Sequence, residues 1–278
     1  MNKQNQSVRN CGGIVLYLDV LGVRGYSQVE TKEHLVPMLQ ALKESYDGII
    51  NELLVPFSNL LKLVPDFRSS QPLMVSFGDS IIVYWDIGVD NRSKMCLPYF
   101  AKVLPLVMMT GINLELRMRG SVAFGKFIVV PDEHGQSVLG DAVNDAATWH
   151  DKADWLGIAL TPTCGNVLDT ALSLVREHGP GVGVNINDML DLLKDYLIRY
   201  PVPMKHGEHR ELWSVAWPSL YPDETIPLEL GLVERNWKDL LMKRLDQDPW
   251  PEETRQKRTN TLAFYDWYWR SSSLDSGS

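Results

Sequence analysis

Asp19 and Asp79 are the two residues of this sequence best placed to do chemistry. Asp19 closes an apolar run, "LYLDVLGVRGYS" at 16–27, where Leu16, Tyr17, Leu18 and Val20 surround it and Gly22 and Gly25 follow. A carboxylate in such a run is costly unless it is paired, hydrogen-bonded or bound to a metal. Asp79 follows Gly78 between "LMVSF" and "SIIVYW". Two runs rich in β-branched and aromatic residues around Gly-Asp read as a tight hairpin. Paired carboxylates on rigid strand ends suit one or two Mg²⁺ or Mn²⁺ ions carrying a triphosphate, and the Val20 carbonyl is placed to be a further ligand. The same spacing also fits Asp79 shaping the turn and Asp19 capping a nearby helix.

These acids need a sheet to bring them together. Residues 13–19 read as a short buried strand. Leu35, Leu39, Leu42, Tyr46, Ile49 and Leu53 recur in steps of three and four, which predicts a long amphipathic helix over 31–64. The hairpin follows, then a second helix over 91–111. "LELRMRGSVAFGKFIVV" is a further strand or strand pair with Gly125 as a bend. A third helix starts near Asp141, "GIALTP" is a short strand, 164–178 a helix, and "ELWSVAWP" a late strand. Strand–helix–strand–strand–helix–strand is the ferredoxin-like order, so the fold class is α+β. In that core the first strand is central, beside the strand that enters the hairpin. Domain organisation reads as a tail over 1–12, a core over 13–218 and a C-terminal extension over 219–278 with helical runs, the cluster "FYDWYW" and a disordered Ser/Gly tail.

Four segments, "GIVLYLDVLGVRGYS", "VSFGDSIIVYW", "LRMRGSVAFGK" and "LGDAVNDAATW", resemble in order and approximate spacing the class III nucleotidyl cyclase homology domain, over roughly residues 13–217. The resemblance implies that Asp19 and Asp79 bind two metal ions per site, Mn²⁺ or Mg²⁺. It implies that Asn144 orients the ribose, and that Lys205 of "MKHGEHRELWSVAWP" contacts the triphosphate. It also implies a ferredoxin-like cyclase core and a head-to-tail homodimer. Each site would take its aspartates from one chain and its base and ribose contacts from the other.

Two departures from that pattern carry information. The base-reading positions of adenylate and guanylate cyclases fall on Val75 and Ser137. Neither purine code is present, and an apolar wall with one small hydroxyl fits a pyrimidine better. The chain is therefore similar to the pyrimidine cyclases of bacterial Pycsar antiphage systems. A serine hydroxyl can donate or accept, so it does not by itself separate uracil from cytosine. UTP is favoured on the resemblance, with CTP as the alternative. The second departure is Thr148, which stands where the family has its transition-state Arg. His150, Lys152, Arg24 and Arg119 are the candidates for restoring the charge.

Composition bounds the other readings. The chain has 278 residues, is 45% hydrophobic and carries a formal net charge of −8, which argues against a general binder of nucleic acid or anionic membranes. Three scattered cysteines, Cys11, Cys96 and Cys164, and a polar N-terminus point to a reducing cytoplasmic setting. The apolar run 94–112 contains Lys94, Pro98, Lys102 and Pro105 and reads as a buried helix. Tyr17 lines the nucleotide pocket or sits in the core with its hydroxyl at the rim. "HGEH" reads as a surface turn, "GPGVGVN" at 179–185 as a loop without the P-loop ending, and "RQKR" at 255–258 as a solvated helix face. The aromatics of "FYDWYW" read as an intramolecular or dimer seam.

The resemblance thus implies cyclisation of UTP to 3′,5′-cyclic UMP and pyrophosphate, a second messenger for a separate effector in antiphage defence. A catalytically silent dimerisation or nucleotide-sensing module is the reading of a different class, supported by Thr148. A dinucleotide cyclase ranks last, because its Gly-Gly-Asp-Glu-Phe hairpin is absent.

Overall fold

A continuous run of apolar, mostly β-forming residues from Ile14 to Leu18 suits a strand covered on both faces, and the chain there runs extended as β1 (Arg9–Leu21). The computed structural model describes residues 7–21, 33, 36–54, 72–132, 135–178, 186–220, 237–246 and 252–275. Expectations that fall on Gly22, Arg24, Gly25, residues 55–64, the loop 179–185 and the final Ser/Gly residues lie outside these. β1 is longer than 13–19 because its polar start, Arg9 and Asn10, pairs with Val129 and Ile128.

α1 (Val36–Leu54) follows, then β2 (Leu73–Phe77) and β3 (Ser80–Asp86). Gly78 and Asp79 form the two-residue turn between them, with Gly78 at φ 60°. A glycine at the first central position of a two-residue hairpin loop matches the right-handed twist of the flanking strands. The single helix expected over 91–111 is three pieces, α2 (Asn91–Lys94), α3 (Leu97–Ala101) and α4 (Val103–Asn113). Pro98 lacks an amide hydrogen, so it suits the first turn of a new helix and not the interior of a long one. The span Asn91–Asn113 is long and apolar enough to cross a membrane by length and composition, but most of it is buried here.

β4 (Arg117–Asp132) runs through Gly125 without breaking, and β5 (Gly135–Leu139) folds back on its end. α5 (Asp141–Lys152), β6 (Ile158–Leu160), α6 (Pro162–His178), α7 (Ile186–Tyr196), β7 (Leu197–Pro203) and β8 (His209–Val215) complete the core. After a short 3₁₀ turn at Trp217–Leu220 come α8 (Trp237–Leu245) and α9 (Arg255–Asp275).

The sheet is mostly antiparallel, in the order β2-β3-β1-β4-β6-β8-β7, with β5 on β4 and helices on its faces. β1 is central, as expected, but its neighbour is β3, the strand that leaves the hairpin; β2, which enters it, is the edge. The order β2-β3-β1-β4, with every neighbour antiparallel, is the ferredoxin-like one.

The two faces are covered unequally. Ile14, Leu16, Leu18 and Val20 enter the larger core with residues of α1, α3, α4, α6, α8 and α9. Cys11, Val15 and Tyr17 point the other way, into a smaller cluster beneath Ala142, Val143 and Ala146 of α5. Ser121 donates to the Ala146 carbonyl, and Thr161 Oγ1 to Asp145 Oδ2 at 2.7 Å. These two bonds fix α5 over the sheet.

α9 packs on the core. Phe264 lies 4.8 Å from Trp155 and 4.5 Å from Tyr200, centroid to centroid, so the aromatic cluster is an intramolecular seam. The basic run before it is a solvated face only in part: Arg255 and Gln256 are exposed, but Lys257 is buried against Asp154 at 2.7 Å, and Arg258 pairs with Asp246.

Candidate active site

Strand alternation sets the position of Asp19. Leu18 and Val20 point into the larger core, so Asp19 lies on the α5 side with Tyr17. Register then places Arg119 of β4 opposite it. Arg119 Nε and Nη2 both donate to Asp19 Oδ2, each at 3.0 Å, and both side chains are largely buried. The cation that offsets the burial of Asp19 in this chain is therefore a guanidinium.

The C-terminal end of α5 closes over this pair. His150 stacks on Tyr17 with ring centroids 4.5 Å apart, and its Nε2 lies 3.9 Å from Asp19 Oδ2. Burial pushes the His150 imidazole below its ordinary pKa, the Arg119 charge adds to this, and Asp19 opposes it. Tyr17 is half-buried, and its hydroxyl shares a 2.8 Å hydrogen bond with Ser80 Oγ. Asp151 accepts from Lys205 Nζ at 2.7 Å and from Arg119 Nη2 at 3.3 Å on one oxygen, Oδ1. The Lys205 hydrogen bond holds the Asp151 carboxyl below the usual carboxylate range; burial opposes it, while the charges of Lys205 and Arg119 add. The Lys205 amide donates to the Lys152 carbonyl at 2.8 Å, which staples the β7–β8 hairpin to the end of α5.

The hairpin acid is beside this cluster. Val20 N–H donates to the Asp79 carbonyl at 2.9 Å, tying the Gly78-Asp79 turn to the end of β1. Val75 sits in the same cross-strand row as Ile82 and Tyr17, half-buried against the smaller cluster. One end of the sheet thus collects Tyr17, Asp19, Val20, Val75, Asp79, Arg119, His150, Asp151 and Lys205.

Ser137, Asn144 and Thr148 are elsewhere. Ser137 pairs with Val130, nine residues along β4 from Ser121 in the Val75–Tyr17 row, about 30 Å at strand rise. The two residues thus lie on different rows, towards opposite ends of the β1–β4 ladder. Asn144 and Thr148 are exposed and one turn apart on the outer face of α5, away from the buried Ala142, Val143 and Ala146. Asn144 lies seven residues from Asp151, about 10 Å along the helix. A cavity of about 930 Å³, lined by Gly12, Lys126, Gly140 and Asp141 among others, also opens at the far end of β1.

The donor set can be tested against a divalent ion. Asp19 Oδ2 is committed to Arg119, whereas among the described residues nothing binds its Oδ1 and nothing forms an ion pair with the Asp79 carboxylate. Two carboxylates and a main-chain carbonyl fit Mg²⁺ or Mn²⁺ when substrate phosphate completes the shell. Among the described residues no group of three His, Cys, Asp or Glu could hold a metal unaided.

Asp151 is the residue that the sequence reading passed over. Its signal was its place: a carboxylate in the last turn of a helix opposes the macrodipole and needs cations nearby. Arg119 and His150 were noted only as spare positive charge.

No family model matches the sequence, nor does any curated protein. Among solved structures, the chain is similar to the adenylyl cyclase CyaB from P. aeruginosa at 11% identity, over 75% of this chain and 95% of that one, with a TM-score of 0.35. It is similar to an adenylate cyclase from Trypanosoma brucei at 10% identity, over 80% and 94%, with a TM-score of 0.37. The catalytic core of a rhodopsin-guanylyl cyclase with converted specificity, in complex with ATPalphaS, matches at 11% identity over 75% and 97%, with a TM-score of 0.34.

Proposed function

We propose that this chain is a nucleotidyl cyclase that converts a pyrimidine nucleoside triphosphate, UTP before CTP, to its 3′,5′-cyclic monophosphate and pyrophosphate. One observation carries the reading. Two strand-end acids, Asp19 and Asp79, and two cations, Arg119 and Lys205, gather at one end of a ferredoxin-like sheet. Acids and cations so arranged suit a triphosphate and its counter-ions.

In the proposed reaction the 3′-hydroxyl oxygen attacks the α-phosphorus in line. The bond from that phosphorus to the bridging oxygen breaks, pyrophosphate leaves, and the hydroxyl proton passes to solvent. Asp19, Asp79 and the Val20 carbonyl would hold divalent ions, two per site, which when bound activate the hydroxyl and neutralise the leaving group. Lys205 supplies charge to the phosphates. Val75 and Tyr17 share a row two residues along the strands from that of Asp19 and belong to the acid half of the site. Ser137 and Asn144 would come from a second chain, Ser137 reading the base and Asn144 orienting the ribose. The product would act as a second messenger on a separate effector in antiphage defence.

A second reading has its own observation. Arg119 already neutralises Asp19, and Thr148 supplies no positive charge, which favours a silent nucleotide-binding module. The deciding experiment incubates the purified chain with Mn²⁺ and each of the four nucleoside triphosphates and identifies the products by mass. A cyclic pyrimidine nucleotide supports the cyclase. Efficient cyclic AMP formation with UTP and CTP inert overturns the pyrimidine assignment. No product, with the triphosphates nonetheless bound, selects the silent module.

A further inference from the structure

We propose that Asp151 is a positioning residue that sets Lys205 in place beside Arg119 for the phosphates; the proposal rests on the cyclase reading above. The two cations come from distant parts of the chain, one from the middle of the sheet and one from the tip of the β7–β8 hairpin. They meet on a single oxygen, Asp151 Oδ1, at 3.3 and 2.7 Å. The Asp151 backbone carbonyl accepts from Arg119 Nη1 at 3.5 Å, so the residue touches the guanidinium through both main chain and side chain.

The two cations differ in what they need. Arg119 is buried and already oriented by Asp19. Lys205 is over a third exposed, on a flexible four-carbon stem, and it is ion-paired to Asp151. Asp151 therefore restricts the ammonium to one region beside Arg119. A donor held before charge develops costs no reorganisation when it develops. Asp151 is itself held, because α5 is anchored to the sheet at Ala146 and Asp145, and the following Asp154 is gripped by Lys257 and Asn260 of α9.

A preorganising acid and a competing acid predict different kinetics. Charge alone makes Asp151 repel the triphosphate, so its removal would lower KM and leave kcat intact. Positioning makes its removal lower kcat.

The test uses the full chain carrying Asp151→Asn, Asp151→Glu, Lys205→Ala, and Asp151→Asn with Lys205→Ala. Limited acylation with an amine-reactive ester, read by peptide mass, reports whether the Lys205 amine is held. Asp151→Asn is expected to label Lys205 about threefold faster, with the exposed Lys43 as an unchanged internal standard. With Mn²⁺ and UTP, Asp151→Asn is expected to lower kcat about tenfold without raising KM, and Asp151→Glu to recover most of it. In the Lys205→Ala background the same change should move kcat less than about twofold. Unchanged labelling overturns the proposal, and so does unchanged kcat in an active enzyme. Faster labelling in a chain whose wild type makes no cyclic nucleotide sustains the positioning and overturns the cyclase reading instead.

Discussion

Asp19 and Arg119 face each other across the β1–β4 ladder and share one carboxylate oxygen at 3.0 Å. The pair is buried, so each member neutralises a charge that the core would not otherwise tolerate. Truncating one partner of such a pair leaves the other uncompensated, at a cost of about 3–5 kcal/mol. Arg119→Ala is expected to destabilise the chain by about that amount in a urea titration. Adding Asp19→Asn to Arg119→Ala should recover part of the loss, because the orphaned charge is then gone. Additive losses would contradict the pairing.

The charges beside this pair predict how stability varies with pH. The folded pKa of His150 lies below its unfolded value near 6.5, so the unfolded chain binds more protons between the two. Stability is full above about pH 6.5, falls as pH drops through that window, and levels off below the folded pKa. Asp151 acts in the same direction at lower pH: its contribution is present above the unfolded carboxylate value and is lost as pH falls through its lowered folded value. Melting temperatures between pH 5 and 8 should decline towards the acid side, and His150→Gln should flatten that decline. A His150→Gln profile parallel to wild type would remove His150 as the cause.

Asp79 tests the metal assignment. Its side chain sits on a two-residue turn whose geometry depends on Gly78 at φ 60°, so Asp79→Asn should leave the fold intact. Cyclase activity with Mn²⁺ should fall by a factor of about a hundred or more, and chelation of the metal should abolish it. Near-normal turnover in Asp79→Asn, measured as cyclic product, would show that the turn acid holds no catalytic ion.

Local signals made much of this arrangement legible beforehand. Gly78-Asp79 between two β-branched runs placed the hairpin, and the apolar run ending in Asp19 placed the central strand. β7 was missed because Pro201 and Pro203 argue against a strand; it is tolerated because β7 is the sheet edge and pairs with β8 alone. The partner of Asp19 was out of reach for a different reason. Whether Arg119 meets Asp19 depends on the β1–β4 register: a one-residue slip would set Met118 or Gly120 opposite Asp19 and send every side chain to the other face. The Lys205–Asp151 contact joins residues 54 apart, and Met204, whose bridge to Ala153 sets that contact, carries no polar signal.

The roughly 30 Å between the Val75 and Ser137 rows leads to the last prediction. If sites are shared between chains, each joins the acid end of one sheet to the α5 face of another. Complementation tests this. One chain carries Asp79→Ala and the other Asn144→Ala. Each homodimer should be nearly inactive, since every site contains its lesion. In the mixed dimer the lesions distribute unevenly. One site pairs the broken acids of the first chain with the broken ribose contact of the second, and is dead. The other pairs the intact acids of the second chain with the intact asparagine of the first, and is whole. Free exchange makes about half of the dimers mixed, each with one good site of two, so activity should recover to about a quarter of wild type. If mixed dimers form, as shown by mass, and no activity returns, each site lies within a single chain or the two sites are strongly coupled. The shared-site arrangement would then lose its functional support.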